Sequence, residues 1–128
     1  MKGIELAFLA IGAVVGAFLR YRITEAPMML GGFSVNLLLV NVVGSFILGI
    51  FSVVSPFLNL DSHYTMFISI GFCGSLTSMS SFALETSNFL DNDYLHFAVL
   101  NIIANALLSV GGLVSGKEIT NLIMQTML

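Results

Sequence analysis

The sequence predicts an all-α membrane protein with four transmembrane helices. Hydrophobic residues make up 57% of the 128-residue chain, and charged residues make up only 9%. A soluble domain carries about 25% charged residues because its surface needs them, so this composition excludes a water-soluble monomer. No Asp, Glu, Lys or Arg occurs in residues 26–60, 62–84 or 95–116. Each of these stretches is long enough for one helix of about 20 residues across a bilayer.

The N-terminal segment supplies another candidate helix, which is the first span in chain order. Its apolar run is too short alone, but a helix over residues 3–25 crosses the bilayer. Arg20 then lies about 27 Å along the helix axis from Lys2, so Arg20 and Arg22 reach the far interface. The alternative is a cleaved signal peptide, which would need a cleavage site with two small residues separated by one position after the apolar run. Arg20 occupies the place where that site would be. We therefore expect this segment to be a span.

The other three spans are predicted at residues 34–54, 64–89 and 95–116, or slightly longer. The four helices use nearly the whole chain, so we expect residues 1–128 to form a single transmembrane domain. Short connections separate the helices, and their turn-forming residues are Pro27 with Gly31-Gly32, then Ser55-Pro56, then Asp91-Asn92-Asp93.

The number and positions of the basic residues indicate which partners the protein can bind and how it is oriented in the membrane. The net charge is −3 and no basic run occurs, which argues against a nucleic acid partner. Lys2 and Lys117 flank the side of both termini, whereas Arg20 and Arg22 flank the opposite side. Two against two gives no bias under the positive-inside rule, so the chain can insert both ways and pair as an antiparallel dimer. A single fixed orientation, decided by one or two flanking residues, is the alternative.

Two predicted helices carry a stripe of polar and small residues. Such stripes normally mark helix contacts in lipid, because hydrocarbon does not satisfy amides and small residues allow close approach. A polar pathway for a solute would use the same residue types, so both interpretations stay open. The stripes comprise Asn41, Ser45 and Ser52 on the second span, and Asn101, Asn105, Ser109, Gly112 and Gly116 on the fourth.

The third span is unusually rich in hydroxyl groups near its middle. Five of the nine residues from Gly74 to Phe82 are Ser or Thr. Hydroxyls that point in every direction cannot all serve one helix contact, so we expect a break in the helix at this point. Freed carbonyls at such a break can coordinate a cation, and freed N–H groups can meet an anion. A continuous helix whose hydroxyls bond to their own carbonyls is the alternative.

No ionisable group lies at the centre of a predicted span. The carboxylates are at helix ends or in loops, with Glu85 toward the end of the third span, and Cys73 is the only cysteine. The order of residues has no Ser–His–Asp arrangement, no close carboxylate pair and no metal-ligand spacing, so we expect no enzymatic activity. Without a central acid to carry protons, the sequence favours a passive pore over a pump.

Three motifs together resemble the Fluc (CrcB) fluoride channels of microbial membranes. They are residues 12–21 (GAVVGAFLRY), Leu39-Val40-Asn41 with Gly44, and residues 71–82 (GFCGSLTSMSSF) followed by Glu85. The resemblance covers all four spans. It implies an antiparallel homodimer in the bilayer, with two pores along the subunit interface and with fluoride as the transported ion.

The resemblance also implies which residues face fluoride. Asn41 matches an asparagine that donates a hydrogen bond to the ion, and Phe82 matches the second of two phenylalanines whose ring edges face it. The first of these positions holds Met79 here, which has no electropositive ring edge. Ser80 and Ser81 match a track of hydroxyl groups beside the phenylalanines.

Further positions follow from the same resemblance. Backbone carbonyls of Gly74 and Thr77 match a sodium site on the two-fold axis, where the ion is structural. Arg20 matches a first-span arginine with a structural or vestibular role. On the fourth span a family hydroxyl is replaced by Leu113, and Ser109 lies one turn earlier as the candidate pathway residue.

The expected function is passive export of fluoride across a bacterial inner or plasma membrane, which protects the cell from fluoride toxicity. The inside-negative potential supplies about 2.3 kcal/mol per charge per 100 mV. One alternative is a proton-coupled exporter of the small multidrug type, which needs a central carboxylate on the first span, whereas Glu5 lies at its end. The other is a subunit that conducts only with a homologous partner chain as a heterodimer.

Overall fold

Four apolar helical spans, each long enough to cross a membrane, form the chain in the computed structural model, which describes residues 2–127. The first span is α1 (Gly3–Thr24) and the second is α2 (Asn36–Phe57). The third covers Ser62–Asp91 in several pieces, and the fourth is α6 (Leu95–Met127). The protein is therefore a helical multi-pass membrane protein.

The third span changes its helical geometry twice. It begins as α3 (Ser62–Tyr64), continues as a π-helical segment (Thr65–Cys73) and closes with α4 (Gly74–Leu76). The backbone is then extended at Thr77 (φ −83°, ψ 154°) and Ser78 (φ −147°, ψ 115°). A new helix, α5 (Met79–Asp91), starts directly afterwards. The hydroxyl-rich stretch thus contains two residues outside helical geometry.

A small hairpin that the sequence predicted only as a turn connects α1 to α2. Its strands are β1 (Met29–Leu30) and β2 (Phe33–Ser34), and Gly31 and Gly32 between them have φ of 63° and 89°. Positive φ at both central residues is the geometry of a tight hairpin turn, which glycine adopts without steric cost.

Asn36 fixes this connection to the ends of the two helices. Its amide nitrogen donates to the carbonyls of Ile23 at 2.7 Å and Ala26 at 2.9 Å, and its amide oxygen accepts from the Met28 N–H. The Asn36 side chain therefore holds the chain before α2, and α2 starts at Asn36, two residues after the predicted start of the second span.

Close backbone contacts hold the spans together in two pairs. Gly16 of α1 lies against the Phe72 carbonyl of the third span, and Gly116 of α6 lies against the Phe46 carbonyl of α2. A Cβ atom at either glycine would collide with that carbonyl, so only glycine allows this approach. The Gly116 contact agrees with the helix contact that the small residues of the fourth span indicate.

Few apolar side chains are buried inside the chain. Leu37, Val40 and Leu76 form the largest buried cluster, whereas Val14 and Leu107 are 68% and 67% exposed. An apolar surface of this extent is stable in a bilayer and not in water.

Helix α6 is longer than the predicted fourth span. It continues to Met127 instead of ending near Gly116, because Lys117 and Glu118 are good helix formers.

Candidate functional site

A cavity of about 430 Å³ lies beside the point where the third span leaves helical geometry. Its wall combines the apolar side chains of α5 and α6 with a few amide and hydroxyl groups. No carboxylate or cation belongs to this wall. The lining residues are Asn41 and Ser45 of α2, Thr77, Ser78, Met79 and Phe82 of the third span, and Ile102, Asn105, Ala106, Ser109 and Val110 of α6.

The amide of Asn41 connects the extended backbone to α6. Its oxygen accepts from the Ser78 backbone N–H at 2.9 Å, and its nitrogen donates to the Asn105 amide oxygen at 2.9 Å. Because a backbone N–H only donates, the group that faces Ser78 is the oxygen, and the nitrogen points toward α6. An amide nitrogen carries two hydrogens and Asn105 takes one, so one N–H of Asn41, which is buried and lines the cavity, has no partner among the described residues.

The first turn of α5 is built from serines. The Ser78 hydroxyl accepts from the Ser81 N–H at 3.0 Å, which caps the helix, and it lies 3.3 Å from the Ser80 hydroxyl. The helix dipole adds a partial positive charge at this end of α5, which favours an anion nearby. The α5 terminus therefore contributes favourable electrostatics to the cavity wall without any formal charge.

Met79 and Phe82 lie on the same wall but in different surroundings. The Phe82 ring packs against the buried cluster of Leu37, Val40 and Leu76, which holds it in place. Met79 is 76% exposed and borders the cavity from the outer face of the chain. The cavity wall therefore combines a ring that is packed against the protein interior with a side chain that is exposed in the single chain.

A second cavity, of about 340 Å³, lies on the other side of the first turn of α5. Arg20 and Glu85 are the charged residues of its lining, and the Arg20 guanidinium donates to the hydroxyl of Ser81, which also lines it, at 3.5 Å. The Nε of Arg20 and one carboxylate oxygen of Glu85 are buried without a partner in the structure. Since Ser81 and Phe82 are adjacent in sequence, this charged cavity neighbours the first, neutral one.

Two carbonyls next to the break lose their usual helical donors. In a continuous helix the Ser78 N–H would bond to the Gly74 carbonyl, but it donates to Asn41 instead. The Ser81 N–H would likewise reach the Thr77 carbonyl, but it donates to the Ser78 hydroxyl. Within residues 2–127 no group of three or more His, Cys, Asp or Glu side chains could hold a metal ion. The oxygen atoms that this region offers to a cation are therefore those of backbone carbonyls and of Ser and Thr hydroxyls.

Comparison with known proteins identifies the family. The family model described as CrcB-like protein, Camphor Resistance (CrcB), matches residues 7–117 of the chain.

The chain belongs to the CrcB family.

Several curated relatives cover most of the chain, and each carries the name fluoride-specific ion channel FluC. The protein of Nitrosopumilus maritimus is 53% identical over 124 residues, which cover 97% of this chain and 98% of that relative. The protein of Methanocaldococcus jannaschii is 40% identical over 101 residues, covering 79% and 82%. A Sulfurihydrogenibium protein is 42% identical over 101 residues, covering 76% and 81%. The resemblance found in the sequence is therefore confirmed at the level of the family.

The structure brings together most of the residues that the CrcB resemblance singles out. Asn41, Thr77, Met79, Phe82 and Ser109 line the neutral cavity. Ser81 and Arg20 line the charged one. Ser80 and Gly74 are exposed and line neither cavity.

The fourth span of this CrcB protein presents Ser109 to the neutral cavity. The Leu113 carbonyl instead lies against Gly49 of α2, and Leu113 is absent from the cavity lining. Asn105 and Ser45 also line the cavity, although the sequence assigned them only to polar stripes. A polar stripe in the sequence does not distinguish a cavity lining from a helix contact, and Asn105 both lines the cavity and bonds to Asn41 of α2.

Proposed function

We propose that the protein is a fluoride-selective channel that exports fluoride passively, and that it is not an enzyme. The observation that carries this proposal is the fixed amide of Asn41, which lines a cavity whose described lining residues carry no charge and which keeps one N–H without a partner among them. The full-length similarity to relatives named as fluoride-specific channels supports it. Conduction of this kind protects a cell in which fluoride would otherwise accumulate.

A neutral site favours conduction over capture of the ion. A small anion that sheds water in the neutral cavity meets the Asn41 N–H, the Ser109 hydroxyl and the ring of Phe82. The edge of an aromatic ring is electropositive, so it attracts an anion more weakly than a full positive charge does. Binding that is favourable but weak lets the ion enter and leave, which a channel requires. Met79 contributes a flexible thioether at the position where the family has another ring.

We further propose that two copies pair in opposite orientations and cover this cavity. Met79 is exposed in the single chain, and some residues of α6 that line the cavity are exposed there as well. Extended backbone at bilayer depth is stable only when it is buried in protein or lines a cavity, so a second copy would shelter Thr77 and Ser78. The even distribution of Lys and Arg between the two ends supports opposite insertion into a plasma membrane.

A sodium ion at the pairing axis is part of the same proposal. The carbonyls of Gly74 and Thr77 are both deprived of their helical donors, and carbonyl oxygens suit a hard monovalent cation. A cation held there would tie the two copies together at the helix break. Arg20 would act in the charged cavity by attracting the anion toward the pathway.

The position of Glu5 does not support proton-coupled export. Glu5 lies in the first turn of α1, and its carboxylate accepts hydrogen bonds from the Ser62 hydroxyl and the Lys2 N–H. A carboxylate that caps a helix end and joins two helices is not a central proton carrier.

Proteoliposomes that contain the purified single chain test the proposal. Vesicles are loaded with potassium fluoride or with potassium chloride, and ion-selective electrodes record efflux after valinomycin sets the potential. We expect rapid fluoride efflux and chloride efflux near that of protein-free vesicles. Equal efflux of both ions would contradict selectivity. Efflux that appears only after a homologous chain is added would indicate that the conducting form is a heterodimer and not a homodimer.

Serine variants provide a matched pair for the same assay. Ser109→Ala removes a hydroxyl from the neutral cavity, whereas Ser52→Ala removes one that donates to the Gly49 carbonyl at 2.7 Å outside it. We expect the first variant to lower fluoride efflux several-fold and the second to leave it unchanged.

A further inference from the structure

A continuous series of hydrogen bonds runs from the helix break through α6 to α5. Beyond Asn41, the Asn105 amide nitrogen donates to both the backbone oxygen and the side-chain oxygen of Asn101, each at 2.9 Å. The Asn101 amide nitrogen donates to the Thr86 hydroxyl at 3.0 Å, and that hydroxyl donates to the Phe82 carbonyl at 2.8 Å. We call Thr86, Asn101 and Asn105 the amide relay.

The orientation of every amide in this series is determined by its neighbours. A backbone carbonyl only accepts, so the group of Asn105 that faces the Asn101 carbonyl is the nitrogen. The oxygen of Asn105 must then face Asn41, whose nitrogen it accepts from at 2.9 Å. Reversal of any one amide would place two donors or two acceptors in contact. The relay therefore has one low-energy arrangement.

This arrangement determines which amide can donate a hydrogen bond to a ligand in the neutral cavity. Both hydrogens of the Asn105 nitrogen are used by Asn101, so Asn105 has no amide hydrogen left for the neutral cavity although it lines it. Asn41 retains one free N–H, because its oxygen is held by Ser78 and its nitrogen makes one bond. The cavity thus contains a single available amide donor.

We infer that the amide relay is a positioning device that selects Asn41 as the only amide donor in the neutral cavity and so sets anion selectivity. This inference rests on the proposed channel function. Thr86 and Asn101 are not among the cavity-lining residues, so they act on the ion only through Asn105 and Asn41.

Burial makes the relay costly to break. Asn101, Asn105 and Thr86 are 1%, 7% and 8% exposed. Loss of the Thr86 hydroxyl leaves the buried Asn101 amide nitrogen without its acceptor. The ratio of rotated to native Asn101 amide then rises by about tenfold. Rotation of the Asn101 amide removes the side-chain oxygen that accepts from Asn105, so one N–H of Asn105 becomes available and the single-donor site is lost.

The inference is tested by a matched pair of valine substitutions at buried threonines. Thr86→Val removes the hydroxyl that accepts from Asn101. Thr120→Val removes a hydroxyl that donates to the Gly116 carbonyl at 2.7 Å, and the described residues include no side chain bonded to it. Thr120 is 6% exposed, so the two sites are equally buried. Both variants remove a buried hydroxyl that donates to a carbonyl of its own helix, and of the two only Thr86 belongs to the relay.

Fluoride and chloride efflux from proteoliposomes are the first readout. We expect Thr86→Val to lower the ratio of fluoride to chloride efflux by about tenfold, Thr86→Ser to restore it, and Thr120→Val to keep the wild-type ratio. Equal ratios in both valine variants, with normal fluoride efflux in the wild type, would overturn the inference and leave the proposed function intact.

Hydrogen exchange at the Ser78 amide is the second readout, and it does not depend on conduction. The relay holds the Asn41 oxygen against this N–H, so we expect faster exchange in Thr86→Val than in the wild type or in Thr120→Val. Unchanged exchange at Ser78 would contradict the relay even if the wild-type protein conducts no ion. Absence of fluoride efflux in the wild type with altered exchange in Thr86→Val would contradict the channel but retain the relay.

Discussion

The two neighbouring cavities differ in how they can interact with an anion. The charged cavity contains Arg20 and Glu85, whereas the neutral cavity offers the Asn41 amide, hydroxyl groups and the Phe82 ring. A full positive charge attracts an anion over a longer distance but also holds it more strongly. Neutral dipoles act only at contact, so they discriminate by size and hydrogen bonding. Under the proposed function, the charged cavity would attract the anion and the neutral cavity would select it, and the two meet at the adjacent residues Ser81 and Phe82.

The largest expected effect comes from a negative charge in the neutral cavity. Asn41→Asp keeps an oxygen that accepts from the Ser78 N–H, so the helix break is retained while the amide donor is lost. Repulsion of an anion at 4 Å is about 4 kcal/mol at an effective dielectric constant of 20. We therefore expect fluoride efflux to fall by about three orders of magnitude.

The control for this variant is Asn59→Asp. Asn59 is exposed in the connection after α2 and has a positive φ of 50°, which Asp tolerates. We expect its efflux to remain near that of the wild type. A similar loss of efflux in both variants would mean that the added charge acts on the whole protein and not on the cavity.

The charged cavity should give a smaller effect that depends on salt. Arg20→Gln removes the positive charge but keeps a donor toward the Ser81 hydroxyl. We expect a several-fold lower fluoride efflux at low ionic strength, a smaller difference at high ionic strength, and an unchanged ratio of fluoride to chloride. Measurement of initial efflux rates at two salt concentrations checks this.

Arg22 provides the matched control for Arg20. Its guanidinium lies 3.3 Å from the Glu25 carboxylate at the exposed end of α1, and neither residue lines the cavity of Arg20. Arg22→Gln should change efflux less than Arg20→Gln does. A changed ion ratio in Arg20→Gln would show that the charged cavity also selects, which contradicts the separation of roles.

The smallest expected effect is a gain from a second aromatic ring. Met79→Phe adds a ring edge at the outer wall of the neutral cavity, where the side chain is 76% exposed in the single chain. A favourable aromatic contact contributes about 1 kcal/mol, so we expect fluoride efflux to rise by up to about fivefold. Leu107→Phe, on an exposed position of α6 outside the cavity, is the control. A loss of efflux in Met79→Phe alone would indicate that the thioether itself is needed there.

The four spans could be predicted from composition because a bilayer requires long uncharged segments. The extended backbone at Thr77 and Ser78 lies inside the stretch whose density of hydroxyl groups predicted a break. Asn41 was predicted as a site residue from its motif, and it lines the neutral cavity. Each of these predictions depends on features local to one helix.

Features that depend on two helices could not be predicted in the same way. Thr86 bonds to Asn101 because of the relative rotation of α5 and α6, which a pattern within one helix does not define. The π-helical segment Thr65–Cys73 likewise has no distinct composition, since its residues are as apolar as those of an ordinary span. The hairpin strands are only two residues long, so their alternation is too short to detect.

The most direct test of a neutral, fluoride-selecting cavity is the reversal potential of the purified protein in a planar bilayer. The bilayer separates sodium fluoride from sodium chloride of equal concentration, with a small known amount of fluoride on the chloride side. We predict a current that reverses at the equilibrium potential of fluoride for the wild type, and a reversal potential closer to 0 mV in Thr86→Val. Reversal near 0 mV for the wild type, with chloride carrying as much current as fluoride, would contradict the account.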